Sequence, residues 1–293
     1  MMAEMAEPAD LHQRPPIHFL PPRPLSEMAA LYRAMGYDHR RHAGNAGDVW
    51  KHLVLAEAAD RFLAAGVRVY VESHAGRPEY QLLPGGEWEG GIGRIWPVRD
   101  ELAARPYFQI LADLNPHRLE RYPGSAAIVL ELARRRGSAL RAELWDTSPE
   151  VEGAWRRNSG GGGGPEVQFH LGDGFSGASR LVEELRAPAF LLIDSPFVDE
   201  EDTGLVDQLM GRAAEAGWVV LSWHVLGPEA GARPDCNHRE FALRFEDAGL
   251  VCGPMEGAAM VLAWGDRHGD QMKDLIEELK GIEGEFSGIA RRM

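Results

Sequence analysis

The residues best suited to chemistry in this sequence are Asp194-Ser-Pro-Phe197, which directly follow the apolar run Ala189-Phe-Leu-Leu-Ile193. An exocyclic amine on a nucleobase is a poor nucleophile because its lone pair is delocalised into the ring. The carboxylate of Asp194 and the backbone carbonyl of Ser195 could accept hydrogen bonds from such an amine and direct its lone pair at a methyl sulfonium. The ring of Phe197 could stack on a flipped-out base. The alternative is an ordinary strand-end turn with Phe197 packed in the core.

Carboxylates also follow three earlier strands of the predicted fold. These strands end at Glu72-Ser-His-Ala-Gly76, at Glu143-Leu-Trp-Asp146 and at Gly172-Asp-Gly174. Because ligands of open α/β sheets bind outside the carboxyl ends of the strands, these acids are expected at one edge of the sheet. Such a row suits a bound nucleoside, with one carboxylate on the ribose hydroxyls and the next on the adenine amine. Each acid taken alone could instead be a helix N-cap or a solvated turn.

The elements that must hold these residues alternate between helices and strands. Hydrophobic periodicity predicts a helix over 48–65, and further helices are expected around 203–216 and 237–248. Apolar or alternating runs predict strands at 67–72, 139–144, 166–171, 189–194, 218–223, 249–252 and 258–264. This alternation predicts a doubly wound α/β sheet.

Composition divides the chain into a main domain and three unusual segments. Residues 1–30 are rich in proline and are expected to be a mobile arm. Residues 31–270 form the main domain, with a helical insertion at about 97–136 and a flexible glycine-rich loop at 159–165. Residues 271–293 are expected to form a charged helix or tail.

Composition also excludes several classes of protein. Hydrophobic residues make up 44% of the 293-residue chain, which is too many for a mainly disordered or fibrous protein. Cys236 and Cys252 are the only cysteines, which fits a reducing cytosol and excludes a disulfide-rich secreted module. No apolar run is long enough to span a membrane and no secretory signal is visible, so a cytoplasmic protein is expected. No metal is expected, because tight Cys or His ligand spacing is lacking among the candidate ligands His39, His42, His52 and His74.

The net charge of −14 first argues against a nucleic-acid partner, since Lys and Arg supply the affinity for phosphates. A binding face needs only local basicity, however. The basic residues expected to supply it near the site are Arg40, Arg41, Lys51, Arg94 and the run Arg134-Arg-Arg136. If they are scattered instead, a small substrate becomes the better expectation.

Residues 37–52, Tyr-Asp-His-Arg-Arg-His-Ala-Gly-Asn-Ala-Gly-Asp-Val-Trp-Lys-His, resemble the N-terminal signature of the bacterial 23S ribosomal-RNA adenine-N6 methyltransferases of the RlmJ type. The resemblance keeps its order across about 37–265, through Ser73-His-Ala-Gly76, Tyr80-Gln-Leu82, Gly91-Ile-Gly-Arg-Ile-Trp96, Tyr122-Pro-Gly-Ser125, Glu143-Leu144, Asp173-Gly-Phe175 and Ile193-Asp-Ser-Pro-Phe197. It implies a Rossmann-like class I methyltransferase with a small helical insertion subdomain.

The resemblance also implies roles for individual residues. Those at cofactor positions, for S-adenosyl-L-methionine, are Lys51, His52, His74, Gly76, Ser125, Glu143, Asp173 and Gly174. Glu143 would bind the ribose, and Asp173 with Gly174 would hold the adenine end. Asp194 would face the target amine together with Ser195 and Phe197, and Tyr37 would lie on the RNA side. Ser125 could instead be a helix cap, and His52 a partly buried histidine.

Two departures from the family pattern affect these roles. Arg77-Pro78 stands where the family continues its glycine-rich turn, which calls cofactor affinity into question because Arg77 is bulky and Pro78 lacks an N–H. Asp-Ser-Pro-Phe replaces the usual Asp-Pro-Pro-Tyr, which leaves the loop less rigid. A further oddity is Asp38, where the family carries arginine.

The function that the resemblance implies is methyl transfer from S-adenosyl-L-methionine to the N6 amine of an adenine in unassembled or protein-free 23S rRNA. Transfer would be direct and in line, without a metal, and a monomer is expected. One alternative is a divergent member that binds cofactor or RNA without turnover. Another is an amine methyltransferase that acts on DNA or on a different substrate.

Overall fold

The computed structural model describes residues 39–158, 164–196, 200–226, 234–253 and 255–290. The predicted arm at 1–30, Tyr37, Asp38, Phe197 and most of the glycine-rich loop lie outside these described residues. Within the described ranges, every helix is too short or too polar to traverse a lipid bilayer.

The bounds of the elements follow the chain order. The strands are β1 (Val69–Glu72), β2 (Glu79–Gln81), β3 (Arg121–Pro123), β4 (Arg141–Asp146), β5 (Glu166–Leu171), β6 (Phe190–Ile193), β7 (Val219–Val225), β8 (Asn237–Arg244) and β9 (Gly257–Trp264). The α-helices are α1 (His39–His42), α2 (Ala46–Ala64), α3 (Ile92–Ile95), α4 (Pro106–Leu114), α5 (Ser125–Arg135), α6 (Pro149–Asn158), α7 (Gly174–Glu184), α8 (Glu200–Glu215) and α9 (Gly269–Ala290).

A seven-stranded sheet in the order β5-β4-β1-β6-β7-β9-β8 forms the centre of the described chain. Strands β1, β4, β5, β6 and β7 run parallel, whereas β9 is antiparallel to both of its neighbours. The chain moves outward from β1 to β5 and then returns to β6, so the carboxyl ends of β1 and β6 flank a topological switch point. Strand β9 thus runs opposite to the two strands that flank it, in a sheet that is otherwise parallel. The predicted Rossmann-like α/β fold is therefore confirmed.

Helices cover both faces of this sheet. Side chains alternate along each strand, so Tyr70 of β1 belongs to the same hydrophobic cluster as Leu53 of α2, while the neighbouring Val71 belongs to a second cluster with Val182 of α7. Helices α2 and α5 contact each other on the first face, and α7 and α8 contact each other on the second. A strand buried on both faces reads as a continuous apolar run, as β6 does.

The helix predicted at 237–248 is wrong, because this segment forms β8 and a short 3-10 turn at Glu246–Ala248. Strand β8 lies at the sheet edge and pairs antiparallel with β9. Phe241, Leu243 and Phe245 are buried at every second position, which is the period of a strand. The charged residues Arg239, Glu240 and Arg244 around them disguise this pattern as an amphipathic helix.

The segment between β1 and β4 includes residues 97–136, where the helical insertion is expected. It includes a 3-10 helix at Trp96–Leu102, helix α4 and a small antiparallel sheet of β2 and β3. Helix α5 packs on α2 and β4 and therefore belongs to the helical layer of the sheet, so the inserted part ends before Ser125. Helix α9 closes the described chain and buries Leu279 and Phe286.

Candidate active site

The site is built around the switch point, where a cation from helix α2 meets a carboxylate from the end of β6. Lys51 Nζ donates a hydrogen bond to Asp194 Oδ2 at 2.6 Å and forms an ion pair with Asp48 Oδ1 at 2.9 Å. Burial alone would lower the pKa of Lys51, but the charges of Asp194 and Asp48 raise this pKa well above its usual value. Lys51 is therefore a fixed cation that occupies one oxygen of Asp194.

Asp48 carries the second carboxylate of this cluster. Burial alone would raise the pKa of Asp48, but Lys51, His52 and the N–H of Gly44 together lower it to about 2. Its Oδ2 accepts the Gly44 N–H at 2.9 Å, at the start of α2. Asp48 is thus ionised at neutral pH and contacts the helix start and Lys51 through different oxygens.

Glu72 ends β1 beside this cluster and is fully buried. The hydroxyl of Tyr70 donates to Glu72 Oε2 at 2.6 Å, and the hydroxyl of Ser125 donates to Oε1. Burial raises the pKa of Glu72 to about 8, against the opposing effect of the two hydroxyl groups. The N-cap of α5 is Gly124, so the Ser125 side chain does not cap this helix and instead hydrogen-bonds to Glu72.

His52 follows Lys51 on α2 but points to another set of groups. Its Nδ1 lies 3.1 Å from the hydroxyl of Tyr122, which in turn lies 2.7 Å from the hydroxyl of Tyr107. Burial, helped by the charge of Lys51, lowers the pKa of His52 to about 3. His52 is therefore a neutral histidine in a buried tyrosine network that joins α2 to the insertion.

The turn after β1 is held by four contacts around Gly76. Its N–H donates to Asp146 Oδ2 at 3.2 Å, and its carbonyl accepts from the Trp155 indole at 2.8 Å. Gly76 has a φ of 59°, and a Cβ there would lie 2.6 Å from the hydroxyl of Tyr80. That hydroxyl accepts the N–H of Arg77 at 2.9 Å, and the Arg77 side chain leaves the turn to pair with Glu150 at 2.5 Å. The bulk of Arg77 is thus directed away from the turn.

The start of α7 closes the other side of the site. Asp173 is the N-cap of α7, and its Oδ2 accepts the Ser176 N–H at 2.8 Å. A Cβ on Gly174 would lie 1.7 Å from the carbonyl oxygen of Ser73, so the helix begins directly against the end of β1. His74 lies edge-on to the ring of Phe175, and burial lowers its pKa. The structure thus brings His74, Asp173 and Gly174 together.

Sequence similarity identifies the protein family to which this chain belongs. The model of the family described as Ribosomal RNA large subunit methyltransferase D, RlmJ, matches residues 66–224, which is more than half of the chain. The chain belongs to this family.

Two curated relatives of the RlmJ-family chain are named Ribosomal RNA large subunit methyltransferase J. The Haemophilus influenzae protein is 31% identical over 182 residues, which are 59% of this chain and 63% of the relative. The Escherichia coli protein is 30% identical over 184 residues, which are 57% of this chain and 61% of the relative. The match therefore spans less than two thirds of either relative. A Legionella pneumophila protein of known crystal structure shares the fold. It is 19% identical, with a TM-score of 0.65, and the match covers 84% of this chain and 94% of that chain.

Glu143 and Asp146 of the RlmJ-family chain lie on opposite faces of β4. Glu143 lies inside the strand, where its buried carboxylate pairs with Arg141 and with His170 at 2.6 Å. His170 stacks on Trp145, with the ring centroids 4.4 Å apart, on the face of the sheet that α7 covers. Asp146 instead ends the strand at the Gly76 turn, and its Oδ1 accepts the Ser148 N–H at 2.7 Å. Asp146 thus borders the Gly76 turn, whereas Glu143 is engaged by Arg141 and His170, and the role of Glu143 at the ribose stays a prediction.

Sequence reasoning did not single out three residues that the structure joins to the site. Glu72 and Asp146 are included in the segments predicted at the strand ends, but neither of them is assigned a role of its own. In the structure each is the last residue of its strand. Asp48 lies three positions before Lys51 on α2, a spacing at which side chains on a helix meet. The roles of Tyr37 and Phe197 remain predictions, since both lie outside the described residues.

The expected basic cluster does not form among the described residues. The run Arg134-Arg-Arg136 forms the C-terminal end of α5, whose first residue, Ser125, touches Glu72, so about 15 Å of helix separates it from the site. These three arginines pair with Glu131, Asp113 and Asp60. Arg94 donates to the carbonyl of Gly249, and Lys51 is held by two carboxylates.

Proposed function

We propose that this RlmJ-family chain uses S-adenosyl-L-methionine to methylate the N6 amine of an adenine in 23S rRNA. The observation that carries the proposal is the carboxylate of Asp194 at the end of β6, with one oxygen bound by Lys51 at 2.6 Å. This contact leaves Oδ1 to accept a hydrogen bond from a substrate amine. The family match and the names of the two curated relatives support methylation of large-subunit ribosomal RNA.

The residues around the switch point fit a cofactor that carries a nucleoside and a cationic end. Gly76 and Gly174 have no room for a Cβ, because Tyr80 and the Ser73 backbone fill that space, so the backbone at this edge of the sheet is tightly packed. Acidic side chains end β1, β4 and β6 and cap α7, so ribose hydroxyls and an adenine amine would both meet acceptors. S-adenosyl-L-methionine, when bound, supplies an electrophilic methyl group on its sulfonium.

Individual residues are proposed to divide this binding between them. Asp146 would accept the ribose hydroxyls, because a carboxylate that already accepts two N–H groups still has lone pairs available. Asp173 and Gly174 would hold the adenine end. His74 and the Glu72–Ser125 pair would border the methionine end.

Asp194 and Ser195 are proposed to orient the target amine. Both are acceptors at the end of β6, and hydrogen bonds from the amine to the Asp194 carboxylate and the Ser195 carbonyl would localise its lone pair toward the methyl group. Lys51 keeps the carboxylate in place and His52, being neutral, adds no competing charge. The chain's own contribution is thus orientation and electrostatics.

The test is transfer of labelled methyl groups to unmodified, protein-free 23S rRNA, with the product nucleoside identified by mass spectrometry. The wild type is expected to form N6-methyladenine, and Asp194→Asn to lose at least about 100-fold in rate while it still binds the cofactor in calorimetry. Asp274→Asn is the matched control, because it makes the same carboxylate-to-amide change on an exposed side chain of α9. Equal methyl incorporation by the wild type and Asp194→Asn would remove the role of Asp194.

The position of the arginines favours a second candidate, an amine methyltransferase that acts on a small molecule, DNA or another substrate. The Arg134-Arg-Arg136 run is remote from the site and already paired, so a basic face at the site would depend on Arg40 and Arg41. The same mass spectrometry decides between the candidates: methylation of an added amine or of DNA, with unchanged rRNA, would support the second. A chain that binds cofactor but methylates none of them would be the non-catalytic member.

A further inference from the structure

The start of helix α2 holds Asp48 in a fixed position close to the reacting edge. Asn45 caps the helix, and its side chain accepts the Asp48 N–H at 2.9 Å. Asp48 Oδ2 accepts the N–H of Gly44, whose carbonyl in turn accepts the N–H of Ile92 at 2.9 Å. The carboxylate of Asp48 is therefore held by the N–H of Gly44, while Asn45 contacts only the backbone of Asp48.

The second oxygen of Asp48 is directed at Lys51. Its Oδ1 lies 2.9 Å from Lys51 Nζ, while the same Nζ lies 2.6 Å from Asp194 Oδ2. Lys51 has a flexible four-carbon stem, and holding it in one geometry costs rotamer entropy. A second carboxylate, held by the backbone N–H of Gly44, offsets this cost and defines where the ammonium lies.

We propose that Asp48 is a positioning residue, which fixes the ammonium of Lys51 so that Lys51 holds Asp194 in the orientation that accepts the substrate amine. The proposal rests on the proposed function for its catalytic part, and on the contacts of Asp48 alone for its structural part. The simpler account is that Asp48 only completes the helix start, as an acidic side chain at this position often does.

Three variants separate these accounts. Asp48→Asn keeps the shape of the side chain and an acceptor for Gly44, but removes the charge that pairs with Lys51. Asp48→Glu restores the charge at a position where glutamate also reaches back to the helix start. Asn45→Ala is the matched control, because it removes the cap of the same helix without touching Lys51.

The kinetic result expected is a fall in kcat of about 10- to 100-fold in Asp48→Asn, as for a catalytic group displaced by a fraction of an ångström to 1 Å. The KM for the cofactor should stay near the wild-type value, and Asp48→Glu should recover most of the rate. Asn45→Ala should lose stability but keep kcat, with all variants assayed below their unfolding temperatures. Equal loss of kcat in Asp48→Asn and Asn45→Ala would overturn the proposal in favour of a helix cap.

A second readout does not need turnover. The sequence contains three lysines, Lys51, Lys273 and Lys280, so NMR of ¹³C-labelled lysine resolves each side chain, and Lys51→Arg assigns the signal of Lys51. In the wild type, the charges of Asp194 and Asp48 hold the pKa of Lys51 well above its usual value, so its signal should stay that of an ammonium up to the highest pH at which the protein is folded. In Asp48→Asn the titration should move to lower pH and begin within that range.

The NMR titration and the methylation assay test different parts of the proposal. An unchanged Lys51 titration in Asp48→Asn would overturn the proposal, even in a fully active enzyme. If the wild type methylates no substrate, the proposed function fails, and the NMR titration still decides whether Asp48 fixes Lys51.

Discussion

Two buried carboxyl groups of the site, Asp48 on α2 and Glu72 at the end of β1, have pKa values shifted in opposite directions. Asp48 lies beside a cation and its pKa falls to about 2, whereas Glu72 lies among hydroxyl groups and burial raises its pKa to about 8. The difference follows from partners, because Lys51 contacts Asp48 directly and reaches Glu72 only through space. The site therefore contains one permanently charged acid and one that titrates near neutrality.

The substitution Glu72→Gln tests this difference through the pH dependence of stability. In the wild type, the unfolded chain loses the Glu72 proton above about pH 4.5 while the folded chain keeps it up to about pH 8. The folded state then binds more protons, so the free energy of unfolding contributed by Glu72 falls as the pH rises through this window. Glu72→Gln removes this loss, and its stability relative to the wild type should grow by a few kcal/mol from pH 5 to pH 9.

Urea unfolding at pH 5, 7 and 9 measures the effect, with the carboxyl infrared band of Glu72 as an independent probe of its protonation. A difference between the two proteins that stays constant over this pH range would mean that Glu72 is ionised throughout.

The turn after β1 makes a second prediction at the residue scale. Gly76→Ala places a Cβ on a residue with a φ of 59°, 2.6 Å from the Tyr80 hydroxyl that anchors Arg77. We expect a loss of stability of about 1–3 kcal/mol and a further loss of cofactor affinity, since the turn borders the proposed nucleoside site. The control is Gly137→Ala, at a φ of 61° with open space around the added Cβ.

Calorimetric titration with S-adenosyl-L-methionine separates the two effects. Gly137→Ala should share the cost of the positive φ and retain the affinity. Equal affinity in all three proteins would show that the Gly76 turn does not contact the cofactor.

At the scale of elements, the sequence predicts the strands and helices that follow from periodicity, but it does not predict contacts between segments that are distant in the chain. The apolar run of β6 and the acids that follow four strands are visible in the chain, and so the sheet and its reacting edge could be predicted. The contact of Ser125 with Glu72 and the face on which Glu143 lies depend on packing of distant segments, which no local pattern encodes. β8 was missed because its charged positions hide a period of two.

The close approach of α7 to β1 is such a packing feature, and Gly174→Ala tests it. The added Cβ would lie 1.7 Å from the Ser73 carbonyl oxygen, a backbone atom that cannot move aside without shifting β1. We expect a loss of several kcal/mol of stability, in the range of severe overpacking. The matched control is Gly211→Ala on α8, where no atom lies within 4 Å and the substitution should stabilise the helix by about 0.5–1 kcal/mol.

Thermal unfolding of the two variants decides the matter. If Gly174→Ala unfolds at the wild-type temperature, the first turn of α7 does not sit against β1 as described.

At the scale of the whole molecule, the distribution of charge limits how an RNA could bind. The chain has a net charge of −14, and many of its described arginines pair with acids across elements, as Arg136 does with Asp60 and Arg105 with Glu285. Paired arginines release fewer counterions on binding a phosphate backbone. Recognition of an RNA would then depend on its shape and on the extruded base more than on charge.

Two arginine substitutions test this view of the molecule. Arg136→Gln removes a cation far from the site that binds Asp60 through two nitrogens at 2.6 Å, so it should leave RNA affinity unchanged and cost about 1 kcal/mol of stability or less. Arg41→Gln removes an exposed cation on α1, beside the start of α2, and should weaken RNA binding and lower the salt slope by about one. Filter binding of 23S rRNA fragments at several salt concentrations measures both. A larger loss in Arg136→Gln than in Arg41→Gln would place the RNA against the far end of α5, away from Asp194.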